Sequence, residues 1–245
     1  MRDSIWVIGL AKYSFQTKWL GVLVTLLTLL SMFFLECSNL AKFFGKTEVF
    51  RGLNFRLDDA LCVGIEGPNG SGKSTLMKCL CGLLRPSEGE ITWKIDGEHI
   101  QNQQLRYQVG YAAPYIHLYN ELTVMENLSF IRDLRPSESR SLTPDGPPDI
   151  SDVLETSGLA TLSDREFGAL SSGQQQRVRL ACALISDPLI LMLDEPGTNL
   201  DAGGMAMIGK IVDRQRQRGG LVLISSNREE ELAWSDTRIV LPNHL

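Results

Sequence analysis

The feature that most constrains this chain is an apolar run that opens into a glycine-rich loop and closes on a lysine. ALCVGI at 60–65 reads as a buried strand, and GPNGSGKS at 67–74 fits the pattern G-x-x-x-x-G-K-[ST]. KSTLMKCLCGLL at 73–84 then carries helical periodicity. A strand, a loop of this composition and a helix in that order predict a phosphate-binding loop. Gly70 and Gly72 let the backbone curl so that N–H groups converge on phosphate oxygens. The helix beginning near Lys73 adds the positive end of its dipole. Gly67, Pro68, Asn69, Gly70, Ser71, Gly72, Lys73, Ser74 and Thr75 are therefore the expected nucleotide contacts. Lys73 supplies a point charge for the outer phosphates and the Ser74 hydroxyl a ligand for Mg²⁺. The ligands expected are a nucleotide polyphosphate and Mg²⁺.

A second strand, LILML at 189–193, ends in the adjacent acids Asp194 and Glu195. Alone, such a pair reads as a solvated strand end or a helix cap. Beside a phosphate loop it reads as chemistry. Neighbours in an extended chain point to opposite sides, so Asp194 is assigned to the metal and Glu195 to the attacking water as general base.

Between these motifs the chain alternates strand and helix. MFFLECSNLAKFFGK from Met32 and LNFRL at 53–57 read as strands, and EITWKIDGEHI at 90–100 as a strand ending in the Asp96-Gly97 turn. LTVMENLSFIRDL at 122–134 is an amphipathic helix, RPSESRSLTPDGPPD at 135–149 a proline-rich loop, and helical segments return at 150–158 and 174–186. This stretch, about 112–185, reads as a helical lobe set into an α/β core. The core resumes with a helix near 202–218 and strands LVLIS at 221–225 and TRIVL at 237–241. The fold class expected is α/β: a mostly parallel sheet, an antiparallel β-subdomain and the lobe.

LSSGQQQR at 170–177 stands just upstream of the acidic pair, and TNLD at 198–201 just after it. With these residues the chain resembles the ATP-binding cassette (ABC) family over about Phe33–Leu241. LSSGQ matches the family signature LSGGQ, with Ser172 in place of the first glycine. The resemblance implies a P-loop NTPase core and a head-to-tail dimer, either a homodimer or a pair with another cassette. ATP would lie between the phosphate loop of one subunit and Ser171, Ser172, Gly173 and Gln174 of the other. Asp201 would sit in the loop coupling the two sites. Phe44 aligns with the aromatic residue that usually stacks on adenine; core packing is its other reading.

Two positions depart from the family. In VGYAAPYIHLY at 109–119, Pro114 stands where a glutamine is usual, and a proline side chain cannot contact Mg²⁺ or the attacking water. Asn227 ends LVLISSN where a histidine is usual. Asparagine still donates through its NH₂ but cannot become cationic or shuttle a proton. Losing such a contact costs ~1–3 kcal/mol, roughly 10- to 100-fold in rate if it acts only in the transition state. Slow but real hydrolysis is expected, with Glu195, Lys73 and Asn227 as the catalytic set.

Composition bounds the partners. The 245 residues carry 24 basic and 29 acidic side chains, a net charge of −5. No nucleic acid is expected. Five cysteines at unpatterned spacings read as free thiols of a reducing compartment. WLGVLVTLLTLLSMFFL at 19–35 is uncharged. A translation start placed too early, with Met32 the true beginning, is the favoured reading of residues 1–31. A membrane helix is the second and a signal peptide the third. Residues 32–245 would then form one ATP-binding domain.

The family reading makes the chain the ATPase subunit of a transporter whose permease is a separate chain, held peripherally on the cytoplasmic face of the membrane. LYNELTVMENL at 118–128 resembles a segment of small bacterial export ATPases, including the haem-export and ABC-2-type groups. A soluble ABC ATPase acting on a macromolecular complex and a regulatory module with impaired hydrolysis are the alternatives.

Overall fold

A computed structural model describes residues 33–58, 61–134, 141–142 and 146–241. The start-site, signal-peptide and membrane-helix readings of residues 1–31 lie outside the described residues, as does part of the proline-rich loop.

Strands β1 (Phe33–Phe44) and β2 (Thr47–Asp58) form an antiparallel hairpin. Strand β3 (Cys62–Glu66) leads into helix α1 (Lys73–Leu80). Strands β4 (Glu88–Ile95) and β5 (Glu98–Ile100) flank the turn at Asp96 and Gly97, both with positive φ. The strand thus ends in the Asp96-Gly97 turn as expected, and the three residues after the turn pair back on it as a second strand. Helix α2 (Asn102–Arg106) and strand β6 (Val109–Ala112) come next. The lobe holds α3 (Val124–Asp133), α4 (Ile150–Thr156) and α5 (Ser172–Leu184). Strand β7 (Ile190–Asp194), helix α6 (Ala202–Gln217), strand β8 (Leu221–Ser226), the single turn α7 (Glu229–Leu232) and strand β9 (Thr237–Val240) complete the core.

One sheet is antiparallel, β2-β1-β4-β5; the other is parallel, β6-β7-β8-β3-β9. The continuous apolar runs of β7 and β8 are buried throughout, as strands covered on both faces must be. Alternation divides their side chains between two cores. Ile190, Met192, Leu221 and Leu223 join Leu76, Met77 and Leu80 of α1, together with Leu35, Phe50 and Trp93 of the antiparallel sheet. Leu191, Leu193, Val222 and Ile224 face Leu180 of α5 and Ile208, Ile211 and Val212 of α6. Helix α1 is therefore held between the sheets, and the buried Trp93 indole donates to the Leu80 carbonyl at its C-terminus, 2.9 Å away. Gly110 in β6 permits the close approach of α5, since a Cβ there would lie 2.0 Å from the Ala183 carbonyl oxygen. A separate apolar cluster, with Val124, Leu128, Val153, Phe167 and Val178, supports the lobe.

Strand register aligns the loops that carry the conspicuous polar residues. Glu66 pairs with Ser226 and Asp194 with Ser225, so β3, β7 and β8 end level. The loops leaving those three strands open from one edge of the sheet, where open α/β folds bind ligands.

Candidate functional site

The loop after β3 is built as the glycine pattern requires. Gly70 and Gly72 have φ of 84° and 93°, and a Cβ on Gly72 would lie 2.8 Å from Val49 Cγ1. Gly72 is the N-cap of α1 and offers no side chain, so the first N–H groups of the helix have no side-chain cap. The Ser71 hydroxyl is buried and has no hydrogen-bond partner among the described residues. Lys73 is only 4% exposed, and its ammonium donates to the carbonyls of Gly67 (2.8 Å) and Pro68 (3.1 Å). Bare helix donors, an unpaired hydroxyl and a buried cation are the donor set that a polyphosphate requires. Val49, Asn69, Gly70, Gly72, Lys73, Ser74, Thr75 and Glu195 line one cleft. Glu195 Oε1 stands 3.9 Å from Lys73 Nζ. Phe44 lies at the end of β1, half exposed, with the Lys42 ammonium 5.0 Å from its ring centroid. Val49 is the hairpin residue in the cleft lining, and no pattern in the sequence marks it.

The acidic pair separates by a mechanism other than strand alternation. Asp194 ends β7 at 1% exposure, but Glu195 has φ of 45°, outside the extended region. Its backbone N–H still donates to the Ser225 carbonyl at 2.8 Å. The chain turns at Glu195, which sends one carboxylate inward and leaves the other 41% exposed in the cleft.

Asp194 is held by hydroxyls that no sequence spacing announces. Ser225 donates to its Oδ1, while Tyr115 (2.7 Å) and Tyr111 (3.2 Å) reach its Oδ2, and the two phenols also meet each other. Burial and the nearby Asp194 charge push the Tyr111 hydroxyl's pKa well up; Tyr115 is also raised, mainly by burial. Both stay neutral, and their two protons are shared among three contacts: each phenol with Asp194 and the two phenols with each other. The buried Asp194 carboxylate and Ser74 line one cleft, and together they suit Mg²⁺, which takes one or two protein oxygens and completes its shell with water and substrate phosphate. Pro114 and Tyr115 share a second cleft with Ser74, Asp194, Glu195 and Thr198.

Asn227 comes directly after β8 and donates from Nδ2 to Asn69 Oδ1 of the phosphate loop at 2.9 Å. The structure thus brings together Asn69, Lys73, Ser74, Asp194, Glu195 and Asn227.

Ser171, Ser172, Gly173 and Gln174 lie elsewhere. They line a cleft of about 540 Å³ with Arg177, Asn199, Leu200 and Asp201, and among the described residues it shares no lining residue with the phosphate-loop cleft. Ser171 caps α5 reciprocally with Gln174, at 3.3 and 3.0 Å. Gly173 packs close to the Asn199 carbonyl, where a Cβ would lie 2.8 Å away. Asp201 accepts from the Gly204 N–H at 2.8 Å, capping α6, and pairs with Arg177 at 3.4 Å.

The profile of the ABC transporter family matches residues 50–198. The cytochrome c biogenesis ATP-binding export protein CcmA of Haemophilus influenzae is 34% identical over 195 residues, which span 80% of this chain and 89% of that protein. The CcmA of Pseudomonas aeruginosa is 32% identical over 83% of this chain and 97% of its own length. Among solved structures, CbiO1 of Clostridium perfringens, part of the ABC transporter complex CbiONQ, superposes with a TM-score of 0.66 at 28% identity, covering 84% of each chain. A bacterial Atm1-family ABC exporter with ATP bound superposes with a TM-score of 0.70 at 28% identity, covering 85% of this chain and 37% of the exporter.

Proposed function

The chain belongs to the ABC transporter family as an ATP-binding, ATP-hydrolysing subunit, and we propose that it energises an exporter of the cytochrome c biogenesis type through a separate permease. The observation that carries the catalytic assignment is the convergence of Lys73, Glu195 and the Asp194 carboxylate at the level ends of β3 and β7.

In this reading the bare N-terminus of α1, Gly70, Ser71, Gly72 and Lys73 hold the phosphates of ATP, and Thr75 borders them. Gly67, Pro68 and Asn69 shape the loop. Ser74 and Asp194 hold Mg²⁺, whose charge, when bound, offsets that developing on the phosphates. Glu195 orients the attacking water and takes its proton. Asn227, fixed by Asn69, offers a neutral contact near the outer phosphate. Phe44 is the proposed adenine neighbour, at the exposed end of the hairpin.

The two separate clefts support a head-to-tail dimer, a homodimer or a pair with another cassette. A second chain's Ser171, Ser172, Gly173 and Gln174 would close the nucleotide cleft of the first. The Ser171 cap favours this: Oγ spends a lone pair on the Gln174 N–H, which leaves its own proton free to donate. Asp201, capping α6 beside the same cleft, couples the sites. Residues 32–245 form the ATP-binding domain and about 112–185 the lobe that meets the permease. Among the described residues no helix is long and apolar enough to cross a membrane; the export names of the relatives support a peripheral position at the cytoplasmic face. The export names of the relatives favour this reading over a soluble-complex ATPase.

Single-turnover ATP hydrolysis by the purified dimer tests the chemistry. The Glu195→Gln enzyme should be at least about 100-fold slower than the parent, and equal rates would remove the general-base role. Co-purification of a polytopic membrane protein tests the transporter assignment.

A further inference from the structure

We propose that Tyr115 is a positioning residue for hydrolysis, its phenol clamping the buried Asp194 carboxylate at the mouth of the catalytic cleft. The proposal rests on the ATPase reading and adds to it the residue next to Pro114, where the sequence alone marks only the missing glutamine.

Four observations carry it. Tyr115 Oη lies 2.7 Å from Asp194 Oδ2, and Ser225 engages Oδ1, so both carboxylate oxygens are held. Asp194 is almost wholly buried, and a buried carboxylate is held in place by the donors that reach it. The Tyr115 ring is held in its turn: the Lys78 ammonium lies 3.9 Å from its centroid, and the Tyr111 hydroxyl meets its own. Finally, Tyr115 is itself 38% exposed and lines the cleft that contains Ser74, Asp194 and Glu195.

The two tyrosines differ in kind. Tyr111 belongs to β6, a rigid strand paired with β7. Tyr115 belongs to the loop that leads from β6 into the lobe, the part of the molecule turned toward a permease in the ATPase reading. A displacement of that loop moves the Tyr115 hydroxyl off Oδ2 and leaves Tyr111 in place. Oδ2 then keeps only the longer 3.2 Å contact with Tyr111, and the carboxylate is held less closely beside an unchanged phosphate loop. Tyr115 thereby connects lobe position to the competence of the metal site.

The test is Tyr115→Phe, which keeps the ring and the Lys78 contact and removes only the hydroxyl, compared with Tyr111→Phe. Four quantities are read: kcat, KM for ATP, the thermal midpoint, and the Mg²⁺ concentration at half-maximal ATP binding in a Glu195→Gln background, where turnover plays no part. For Tyr115→Phe the expected result is a fall in kcat of about tenfold or more with KM within about twofold. The Mg²⁺ midpoint should rise by about threefold or more. Tyr111→Phe should show a smaller change in the midpoint. A Tyr115→Phe enzyme with kcat and midpoint within about twofold of the parent overturns the proposal. So does a loss that comes with a matching drop in thermal midpoint and a raised KM, which marks a merely structural tyrosine. A parent enzyme without turnover would remove the ATPase reading, and the Mg²⁺ midpoints would still decide for or against the clamp.

Discussion

Two helix N-termini carry the proposed nucleotide contacts, and they are built in opposite ways. Helix α1 begins at Gly72 in the left-handed region, with no side chain to cap its donors. Helix α5 begins at Ser171 with a reciprocal cap from Gln174. The first end is a standing demand for an anion, satisfied by a ligand or by water. The second has two of its donors, the Ser171 and Gln174 N–H groups, satisfied before any ligand arrives, and keeps the Ser172 and Gly173 N–H groups, the Ser171 hydroxyl proton and the Gln174 amide to offer. An N-terminus that meets its ligand within one chain keeps its donors bare. One that meets its ligand only after two chains close is stable by itself beforehand. The lobe supplies a reference point, since α3 carries the same type of cap, Thr123 with Glu126, at no proposed ligand site.

The largest effect separating the two ends should come from Lys73→Ala. Losing the buried cation that lies 3.9 Å from Glu195 should weaken ATP binding by the isolated chain by about 100-fold or more, read by calorimetry. Binding within severalfold of the parent would show that the bare N–H groups alone hold the phosphates.

Next comes Ser171→Asp. Aspartate is as good a cap as serine, so the thermal midpoint should stay close to the parent's. A carboxylate facing the phosphate of the second subunit should lower steady-state turnover by about 100-fold. ATP affinity of the single chain should be unaltered. Preserved turnover would move the signature helix out of the site.

Smaller again is Thr123→Ala, which removes a cap and nothing else. It should cost about 1 kcal/mol in denaturant unfolding and leave ATP turnover per folded molecule unchanged. A tenfold loss of turnover would mean that cap integrity in the lobe, rather than signature chemistry, governs the rate. The smallest change is expected for Asn227→His, whose single-turnover rate should at least match the parent's. A fall of more than about tenfold would show that the 2.9 Å contact with Asn69 is itself needed.

How much of the molecule is legible in the sequence depends on how each feature is encoded. The phosphate loop and the apolar runs of β3, β7 and β8 are local: their meaning lies in neighbouring residues and a fixed period. The helices of the lobe are legible for the same reason, through their apolar faces. The tyrosine clamp is not, because Tyr111 and Tyr115 find Asp194 about 80 positions away in the chain, across a strand pairing that no spacing rule announces. The four residues of β6 carry too little period to mark a strand, and Gly110 is explained only by the helix that crosses it. Strand alternation assigns Glu195 to the water side. Its left-handed backbone gives a similar division of the two acids by a turn, which a one-dimensional pattern cannot distinguish from an extended step. The Asn69–Asn227 bond joins two loops that meet only because β3 and β8 lie side by side in register.

That last bond has a consequence for the conditions under which the protein works. An asparagine pair has one electrical state across the range from about pH 5 to 8, where an imidazole at the same strand end would be changing charge. A pH–rate profile of this ATPase should therefore lack an acid limb contributed by the end of β8, and restoring a histidine there should introduce one. In an acidified compartment the contact between Asn227 and the phosphate loop stays as it is at neutrality.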